Sequence, residues 1–158
     1  MKEIRPPEPL DFEAGKPSVF LAGSIEMGAA VDWQAQVTEA LRDLDVLVLN
    51  PRRAAWDPSW PQSVDFAPFR EQVEWELEAQ ERADLVAFYF APQTKAPITL
   101  LELGLGARRR IVVCCPEGYW RKGNVDIVCR RYGVAQVPDL RALIAHIRQA
   151  LSGEPSHA

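Results

Sequence analysis

The sequence predicts an α/β protein with a doubly wound, five-stranded parallel sheet and helices on both of its faces. Short apolar runs alternate with helical patterns along the chain, and parallel strands need such crossover connections. The chain has 158 residues, of which 47% are hydrophobic and 25% charged, a balance typical of a globular protein. That length supports one hydrophobic core and is too short for two domains.

The first half of the chain contains two of the predicted strands. Prolines interrupt residues 1–16, which we expect to be extended or loosely ordered. The apolar run of residues 17–23, PSVFLAG, is the first strand. Residues 30–44 follow with apolar side chains spaced on one helical face. Residues 45–51, DVLVLNP, are the second strand, which ends at an asparagine and a proline.

The second half alternates helices and strands after a long irregular segment, residues 52–68. The elements that follow are a polar helix in 70–83, a strand in 84–90, a helix in 97–107, a strand in 109–116, a helix in 121–133, a weak fifth strand in 134–138 and an amphipathic helix in 139–151. Residues 17–152 therefore form one predicted domain, and residues 153–158 are a tail.

The composition excludes several classes of partner. The net charge of −4 gives no basic field to hold a nucleic-acid backbone, so we expect a small-molecule ligand. No run approaches the roughly 20 apolar residues of a membrane span, and the first residues lack the apolar core of a signal peptide. We therefore expect a cytoplasmic protein. The odd set of Cys114, Cys115 and Cys129 is expected to consist of buried free thiols.

Ligands of a doubly wound sheet bind outside the carboxyl ends of the strands, where the strand order reverses. The predicted strands place four candidate ligand loops, after Gly23, Asn50, Phe90 and Cys115. Gly23 and Ser24 offer backbone N–H groups and a hydroxyl that suit a sugar or a phosphate at a helix start. A tight turn with a cap explains the same two residues without a ligand.

Aromatic and basic side chains in these loops have two interpretations each. The aromatic ones are Trp56, Trp60, Phe66 and Tyr119. They are suited to stacking on a planar base, and equally to covering the top of the core. Arg52 and Arg53 are suited to a carboxylate or phosphate, although surface arginines are more often solvated.

The polar helix is rich in carboxylates, and most of them must face water because unpaired buried carboxylates are costly. They are Glu71, Glu74, Glu76, Glu78 and Glu81. Glu74 and Glu78 share one face of the helix, whereas Glu76 projects from roughly the opposite side. Glu76 is therefore the candidate for an inward-facing acid, and Glu74 is a plausible substitute for it as the assisting acid.

Glu102 also has two interpretations. Thr99 and Glu102 match a capping box, in which the threonine caps a helix and the glutamate bonds back to the threonine backbone. A carboxylate near a helix start at the ligand edge is also suited to attack an anomeric carbon and to form a covalent glycosyl intermediate. The position alone fits a structural cap and a nucleophile.

The order of the motifs resembles that of the nucleoside 2-deoxyribosyltransferase-like superfamily over about residues 18–137. The motifs are FLAGSI, NPRR, FREQVEWELEAQERADLVAFYF, PITLLELG and CPEGYWRKGNVDI. The resemblance implies a flavodoxin-like fold and a ping-pong reaction. In that reaction a glutamate displaces the base of a 2′-deoxynucleoside, and a second base then takes the deoxyribosyl group.

The resemblance also assigns roles to residues of this chain. Glu102 in LELG matches the nucleophile, and Glu76 lies where the family often places an acid that contacts the sugar or helps to protonate the base. Asn124 matches an asparagine that reaches the 5′-hydroxyl from a neighbouring subunit, which implies at least a dimer. The expected substrate-binding residues are Gly23, Ser24, Arg52, Trp56, Gln93, Thr99 and Asn124. No metal and no organic cofactor is expected.

Two positions depart from the family pattern. Ala96 occupies the position of an aspartate that binds the base in other transferases, so base recognition is expected from Gln93, Thr94 or the loop of Trp56. Glu26 and Met27 follow the GSI motif where related monophosphate hydrolases tend to have an arginine. An acidic residue there favours an unphosphorylated nucleoside, unless Arg52 or Arg53 supplies the charge.

Three functions therefore follow from the sequence. The first is deoxyribosyl transfer between bases, as in purine and pyrimidine salvage. The second is an N-glycosidase acting on nucleosides or their 5′-monophosphates, with the same nucleophile and water as the acceptor. The third is a nucleotide-binding module without turnover, because a fold alone does not imply a function.

Overall fold

The computed structural model describes residues 1–25 and 32–153, and it has an α/β fold with a single parallel sheet. The strands are β1 (Lys2–Ile4), β2 (Ser18–Gly23), β3 (Leu47–Leu49), β4 (Leu85–Tyr89), β5 (Ile111–Cys114) and β6 (Ala135–Val137). The helices are α1 (Trp33–Ala40), α2 (Ala67–Arg82), α3 (Pro97–Gly106), α4 (Lys122–Tyr132) and α5 (Leu140–Leu151). The predicted α/β class and the helices on both faces are confirmed.

The strand order is β1-β3-β2-β4-β5-β6, and every pair is parallel. The chain moves outward from β2 to β3, then crosses back to β4 and continues to β6. The order therefore reverses between β2 and β4, which is where a doubly wound sheet binds its ligands. This order is consistent with a flavodoxin-like fold extended by β1 at one edge.

The described part of the sheet has six strands rather than the predicted five, because β1 was not recognised in the sequence. Its three residues pair with β3 in parallel register, from Lys2 opposite Leu47 to Ile4 opposite Leu49. Ile4 is the one side chain of β1 that is buried. A three-residue strand with one buried apolar side chain leaves no periodic pattern, so tertiary pairing decides its conformation.

Alternating side chains of the strands pack into two cores. On one face, Phe20 and Phe88 pack with side chains of α2, α3 and α4. On the other face, Leu21 and Ala87 pack with side chains of α1 and α5. The three cysteines are buried free thiols, as expected. None of the helices in the described part of the chain is long and apolar enough to cross a bilayer.

Candidate active site

Glu76 on α2 and Glu102 on α3 lie near each other where these two helices meet. Glu102 is only 8% exposed, and its charge interacts with that of Glu76. The other four carboxylates of α2 that the sequence singled out are exposed to solvent. The structure thus brings together the two carboxyl groups that the sequence proposed as a catalytic pair.

Two glutamines of α2 hold this pair of carboxyl groups. Gln72, Glu76 and Gln80 follow each other at four-residue intervals and therefore form one stripe along the helix. Nε2 of Gln72 donates to Oε1 of Glu76 at 2.6 Å and to the carbonyl of Pro51 at 2.9 Å. Nε2 of Gln80 donates to Oε1 of Glu102 on α3 at 2.7 Å. Each carboxyl group therefore accepts one amide hydrogen bond from α2.

Burial raises the pKa of both glutamates. It raises the pKa of Glu76 to about 7, although the bond from Gln72 lowers it in part. The pKa of Glu102 is raised to about 8, first by burial and then by the charge of Glu76, and the bond from Gln80 lowers it. Desolvation and a neighbouring like charge both disfavour an ionised carboxyl. Near neutral pH the two groups together therefore hold about one proton.

The capping-box interpretation of Glu102 is wrong. Helix α3 begins at Pro97 after Ala96, so Thr99 lies inside the first turn rather than at the cap, and Glu102 lies in the second turn. Proline starts the helix here because its fixed φ and missing N–H suit the first helical position. Glu102 therefore lies beyond the first turn, where the effect of the helix dipole falls off. Thr99 is buried three residues before it.

The loop before α3 is fixed by hydrogen bonds to the loop after β5. The carbonyl of Lys95 accepts the hydroxyl of Tyr119 at 2.7 Å and Nε1 of Trp120 at 2.9 Å. Two of its non-glycine residues, Gln93 and Ala96, have positive φ values of 65° and 42°. Such conformations are sparsely populated and persist where the surroundings hold them. Gln93 is exposed on this loop.

Gly23 and Ser24 connect the ends of β2 and β4 at the reversal of strand order. A Cβ atom on Gly23 would lie 2.4 Å from the carbonyl oxygen of Tyr89 and 2.6 Å from the ring of Trp33. Gly23 is therefore required by close packing, whatever it does for a ligand.

The hydroxyl of Ser24 takes part in the same junction. It bonds to Oγ1 of Thr94 at 2.7 Å and accepts the N–H of Ala91 at 3.1 Å. Since Thr94 donates to the carbonyl of Ala91, Ser24 is the donor between the two hydroxyls. This hydroxyl is buried and already used in joining the two loops.

Arg52 and Arg53 follow β3, and both form ion pairs within the chain. Nε of Arg52 lies 3.2 Å from Oδ1 of Asp32, and it also donates to Gln34 at 2.8 Å. Nη1 of Arg53 lies 3.0 Å from Oε2 of Glu71.

Two buried amide atoms near this loop have no hydrogen-bond partner among the described residues. They are Nε2 of Gln34, the residue that accepts from Arg52, and Oε1 of Gln72, the residue that bonds Glu76. Buried polar atoms are rarely left unpaired, so each of these atoms needs an explanation.

The aromatic side chains divide into two groups. Trp60 contacts Trp56 and Phe66, with ring centroids 5.2 and 5.9 Å away, and these three rings are partly exposed. Tyr119 is buried and packs on Phe90 with ring centroids 4.9 Å apart. The cluster around Trp56 is therefore available for stacking, whereas Tyr119 contributes to the core.

Asn124 lies apart from the two glutamates, on the α4 side of α3. It is exposed and lines a groove of about 320 Å³ between α3 and α4, together with Leu100, Gly104 and Arg121.

Glu26 and Met27, which follow the GSI motif, lie outside the described residues. No group of three His, Cys, Asp or Glu side chains within residues 1–25 and 32–153 is arranged to hold a metal ion.

Gln72 and Gln80 were not recognised in the sequence. The signal that points to them is their spacing of four residues on either side of Glu76, within a helix whose other polar residues face water. Glutamine is common on solvated helix faces, so only the position of α3 identifies these two as contacts of the acids.

Comparisons with known proteins support the motif order. A family model described as "Nucleoside 2-deoxyribosyltransferase like" matches residues 16–119. The fold is similar to that of a conserved protein from Enterococcus faecalis V583, with a TM-score of 0.62 and 15% sequence identity. That match covers 86% of this chain and 99% of the other. No curated protein matches the chain in sequence.

Proposed function

Because this chain belongs to the nucleoside 2-deoxyribosyltransferase-like family, we propose that it transfers a 2-deoxyribosyl group between nucleobases, with Glu102 as the nucleophile. The observation that supports this function best is the proximity of Glu102 to Glu76, whose charge raises the pKa of the buried Glu102. Two neighbouring carboxyl groups with raised pKa values can hold one proton between them, and the reaction needs one ionised carboxylate and one acid.

In the first half-reaction, a carboxylate oxygen of Glu102 forms a bond to C1′ of the donor nucleoside. The bond from C1′ to the base nitrogen breaks, and its electron pair stays on the base. Glu76 gives its proton to the departing base, which leaves as a neutral molecule. The product is a deoxyribosyl ester of Glu102, the covalent intermediate of a retaining glycosyl transfer.

In the second half-reaction, a nitrogen of the acceptor base attacks C1′ of the ester. The ester bond breaks and its electron pair returns to Glu102. The proton of the acceptor nitrogen passes to the carboxylate of Glu76, which restores the starting state of the pair. The same two groups thus act in both directions, as microscopic reversibility requires.

Only one arrangement of the shared proton reacts. It has Glu76 protonated and Glu102 ionised. In the free site Glu102 has the higher pKa of the two, about 8 against about 7. The reactive arrangement is therefore the less populated of the two singly protonated forms. Groups that favour the ionised form of Glu102 therefore increase the reactive fraction.

The ion pairs of the basic residues favour an unphosphorylated nucleoside as the donor. Arg52 is paired with Asp32, and Nη1 of Arg53 is paired with Glu71, so a 5′-phosphate would have to compete with a carboxylate for these groups; Nε of Arg53 is buried without a partner among the described residues. The unpartnered amide atoms of Gln34 and Gln72 favour a polar, uncharged ligand group close by, such as a hydroxyl or a base amide.

The active unit that we propose is a homo-oligomer in which Asn124 acts on the site of a neighbouring subunit. The outer face of α3 is apolar: Ile98, Leu101 and Leu105 are 61, 61 and 64% exposed. An apolar patch of this kind on a surface helix is typical of an interface. Asn124 is exposed in the groove between α3 and α4, so its side chain is accessible to a neighbouring subunit.

The test is a chromatographic assay of a 2′-deoxynucleoside incubated with a different free base. The wild-type protein is expected to form the new deoxynucleoside, and Glu102→Ala is expected to lose at least about 1000-fold of that rate because the nucleophile is gone. Glu78→Ala, on the exposed side of α2, is the matched control and retains activity.

Three outcomes contradict the proposal in different ways. Full activity of Glu102→Ala excludes this nucleophile. Free base without a new nucleoside, dependent on Glu102, indicates an N-glycosidase. Binding of a deoxynucleoside in calorimetry with no base released over hours indicates a binding module without turnover.

A further inference from the structure

Gln80 forms a hydrogen bond with Glu102 to which the proposed reaction assigns no role. Its Nε2 donates to Oε1 of Glu102 at 2.7 Å, and the two side chains are 9% and 8% exposed. Among the described residues, the second oxygen of Glu102, Oε2, has no hydrogen-bond partner. The two oxygens of this carboxylate are therefore not equivalent.

The stability of the fold does not require this pair. Replacing both partners of a buried hydrogen bond by apolar groups of the same shape is nearly neutral or even stabilising. The sequence neighbours of the pair, Ala79 and Leu103, belong to an apolar core, and Glu76 is the other acid close to Glu102. An amide and a carboxyl facing each other in such surroundings point to a function for the bond.

We propose that Gln80 is a positioning residue that holds Oε1 of Glu102, so that Oε2 is the oxygen that attacks C1′. This inference rests on the proposed function. The amide fixes the rotation of the carboxyl group before the substrate arrives, which keeps the attacking oxygen aligned. It also donates to the ionised form and so favours the reactive arrangement of the shared proton.

The groups around Glu102 support this role for Gln80. Helix α2 presents Glu76, whose charge disfavours ionisation of Glu102, and Gln80, whose N–H favours it. On the same face of the sheet, Cys115 and Cys129 have pKa values raised by burial to about 12 and about 11, so both thiols stay neutral. The hydrogen bond from Gln80 thus favours the ionised form of Glu102.

The test isolates the ionisation of Glu102 by using a Glu76→Gln protein and the donor N7-methyl-2′-deoxyguanosine. The base of this donor already carries a positive charge and leaves without an acid. The rate of base release then rises with pH as Glu102 ionises. Adding Gln80→Met to this protein removes the amide N–H and keeps a side chain of similar length. We expect the pH midpoint of the rise in rate to move up by roughly one to two pKa units.

The control variants separate this role from a packing role. Leu103→Met changes the packing beside Glu102 without removing a hydrogen bond, and its midpoint is expected to stay within about 0.3 units of that of Glu76→Gln. Gln80→Leu provides a second removal of the N–H if the methionine variant does not fold. Gln80→Glu replaces the donor by a third carboxyl group, and we expect an upward shift of the midpoint there too.

The outcomes distinguish the two proposals. An unchanged midpoint in folded Gln80→Met and Gln80→Leu, with turnover that still depends on Glu102, overturns the role of Gln80 alone. Turnover that survives Glu102→Ala overturns the proposed function itself. A midpoint raised equally by Leu103→Met assigns the effect to packing and also overturns the role of Gln80.

Discussion

At the scale of single residues, burial determines the chemistry of the two glutamates. In water both carboxyls would be ionised at neutral pH, and neither would act as an acid. Where α2 meets α3, burial raises both pKa values, and the charge of Glu76 raises that of Glu102 further. In the proposed reaction, one shared proton then provides an acid and a nucleophile within the same pair.

The division of roles between the two acids can be tested with two donors. Glu76→Gln cannot protonate a leaving base, so we expect its rate with 2′-deoxyguanosine to fall by roughly 100- to 10,000-fold. With N7-methyl-2′-deoxyguanosine its rate is expected to stay within about tenfold of the wild type, because this base leaves without a proton. Steady-state rates of base release measure both.

The pH profiles provide a second readout for the same pair. The wild type with 2′-deoxyguanosine is expected to lose activity below pH 7, as both carboxyls become protonated, and above pH 8, as both ionise. The Glu76→Gln protein with the methylated donor is expected to lose activity at acidic pH only. Equal losses with both donors in this variant would contradict the role of Glu76 as the acid.

At the scale of elements, the ends of β2 and β4 are fitted together so closely that a side chain on Gly23 has no space. The nearest obstacles are a backbone carbonyl, that of Tyr89, and the buried ring of Trp33. Neither is the far end of a flexible side chain, so neither moves easily. The junction that carries the loops after β2 and β4 is therefore sensitive to the addition of one methyl group.

Gly23→Ala tests this junction. We expect the free energy of unfolding to fall by about 1–3 kcal/mol because the added methyl overpacks the site. Gly123→Ala in α4 is the control, since nothing lies within 4 Å of its Cβ position. There alanine is expected to stabilise the helix by about 0.5–1 kcal/mol. Urea denaturation followed by circular dichroism measures both changes, and equal stability of the two variants would contradict this account.

The hydrogen-bonded loop before α3 also depends on more than one element. The loop carries two residues with positive φ, and the indole and phenol of the loop after β5 both bond the carbonyl of Lys95. The position of Glu102 thus depends on where Pro97 starts the helix and on how this loop is fixed.

At the scale of the whole molecule, the two proposed parts of the site lie on different sides of α3. Glu102 accepts a hydrogen bond from α2, whereas Asn124 lines the groove between α3 and α4. The side of α3 that carries Ile98, Leu101 and Leu105 is apolar and exposed. A second copy seated on this face would bring its Asn124 towards a neighbouring site and would cover Leu101.

Mixing two inactive variants tests a site shared between subunits. Glu102→Ala and Asn124→Ala are each expected to be inactive or strongly impaired, whereas a refolded equimolar mixture is expected to regain about a quarter of the wild-type activity if the unit is a two-fold dimer. Leu101→Glu is expected to lower the mass measured by light scattering and the activity together. A mixture no more active than its components would contradict the shared site.

Several features of this protein follow from the sequence alone. The alternation of apolar runs and helical patterns determined the α/β class, because strands of this kind can only pair in parallel through crossovers. The helical period predicted that Glu76, alone among the acids of its helix, faces inward, and the structure confirms that orientation. The order of motifs identified the family.

Only the tertiary structure decided which groups surround the acids. β1 acquires its conformation by pairing with β3. Helix α3 begins at Pro97 rather than after Thr99, so Glu102 does not take part in a capping box. Gln80 has no distinguishing pattern in the sequence, and it becomes a contact of Glu102 because α2 and α3 pack side by side. Hydrogen bonds and pKa values depend on distance and burial, and a local sequence pattern contains neither.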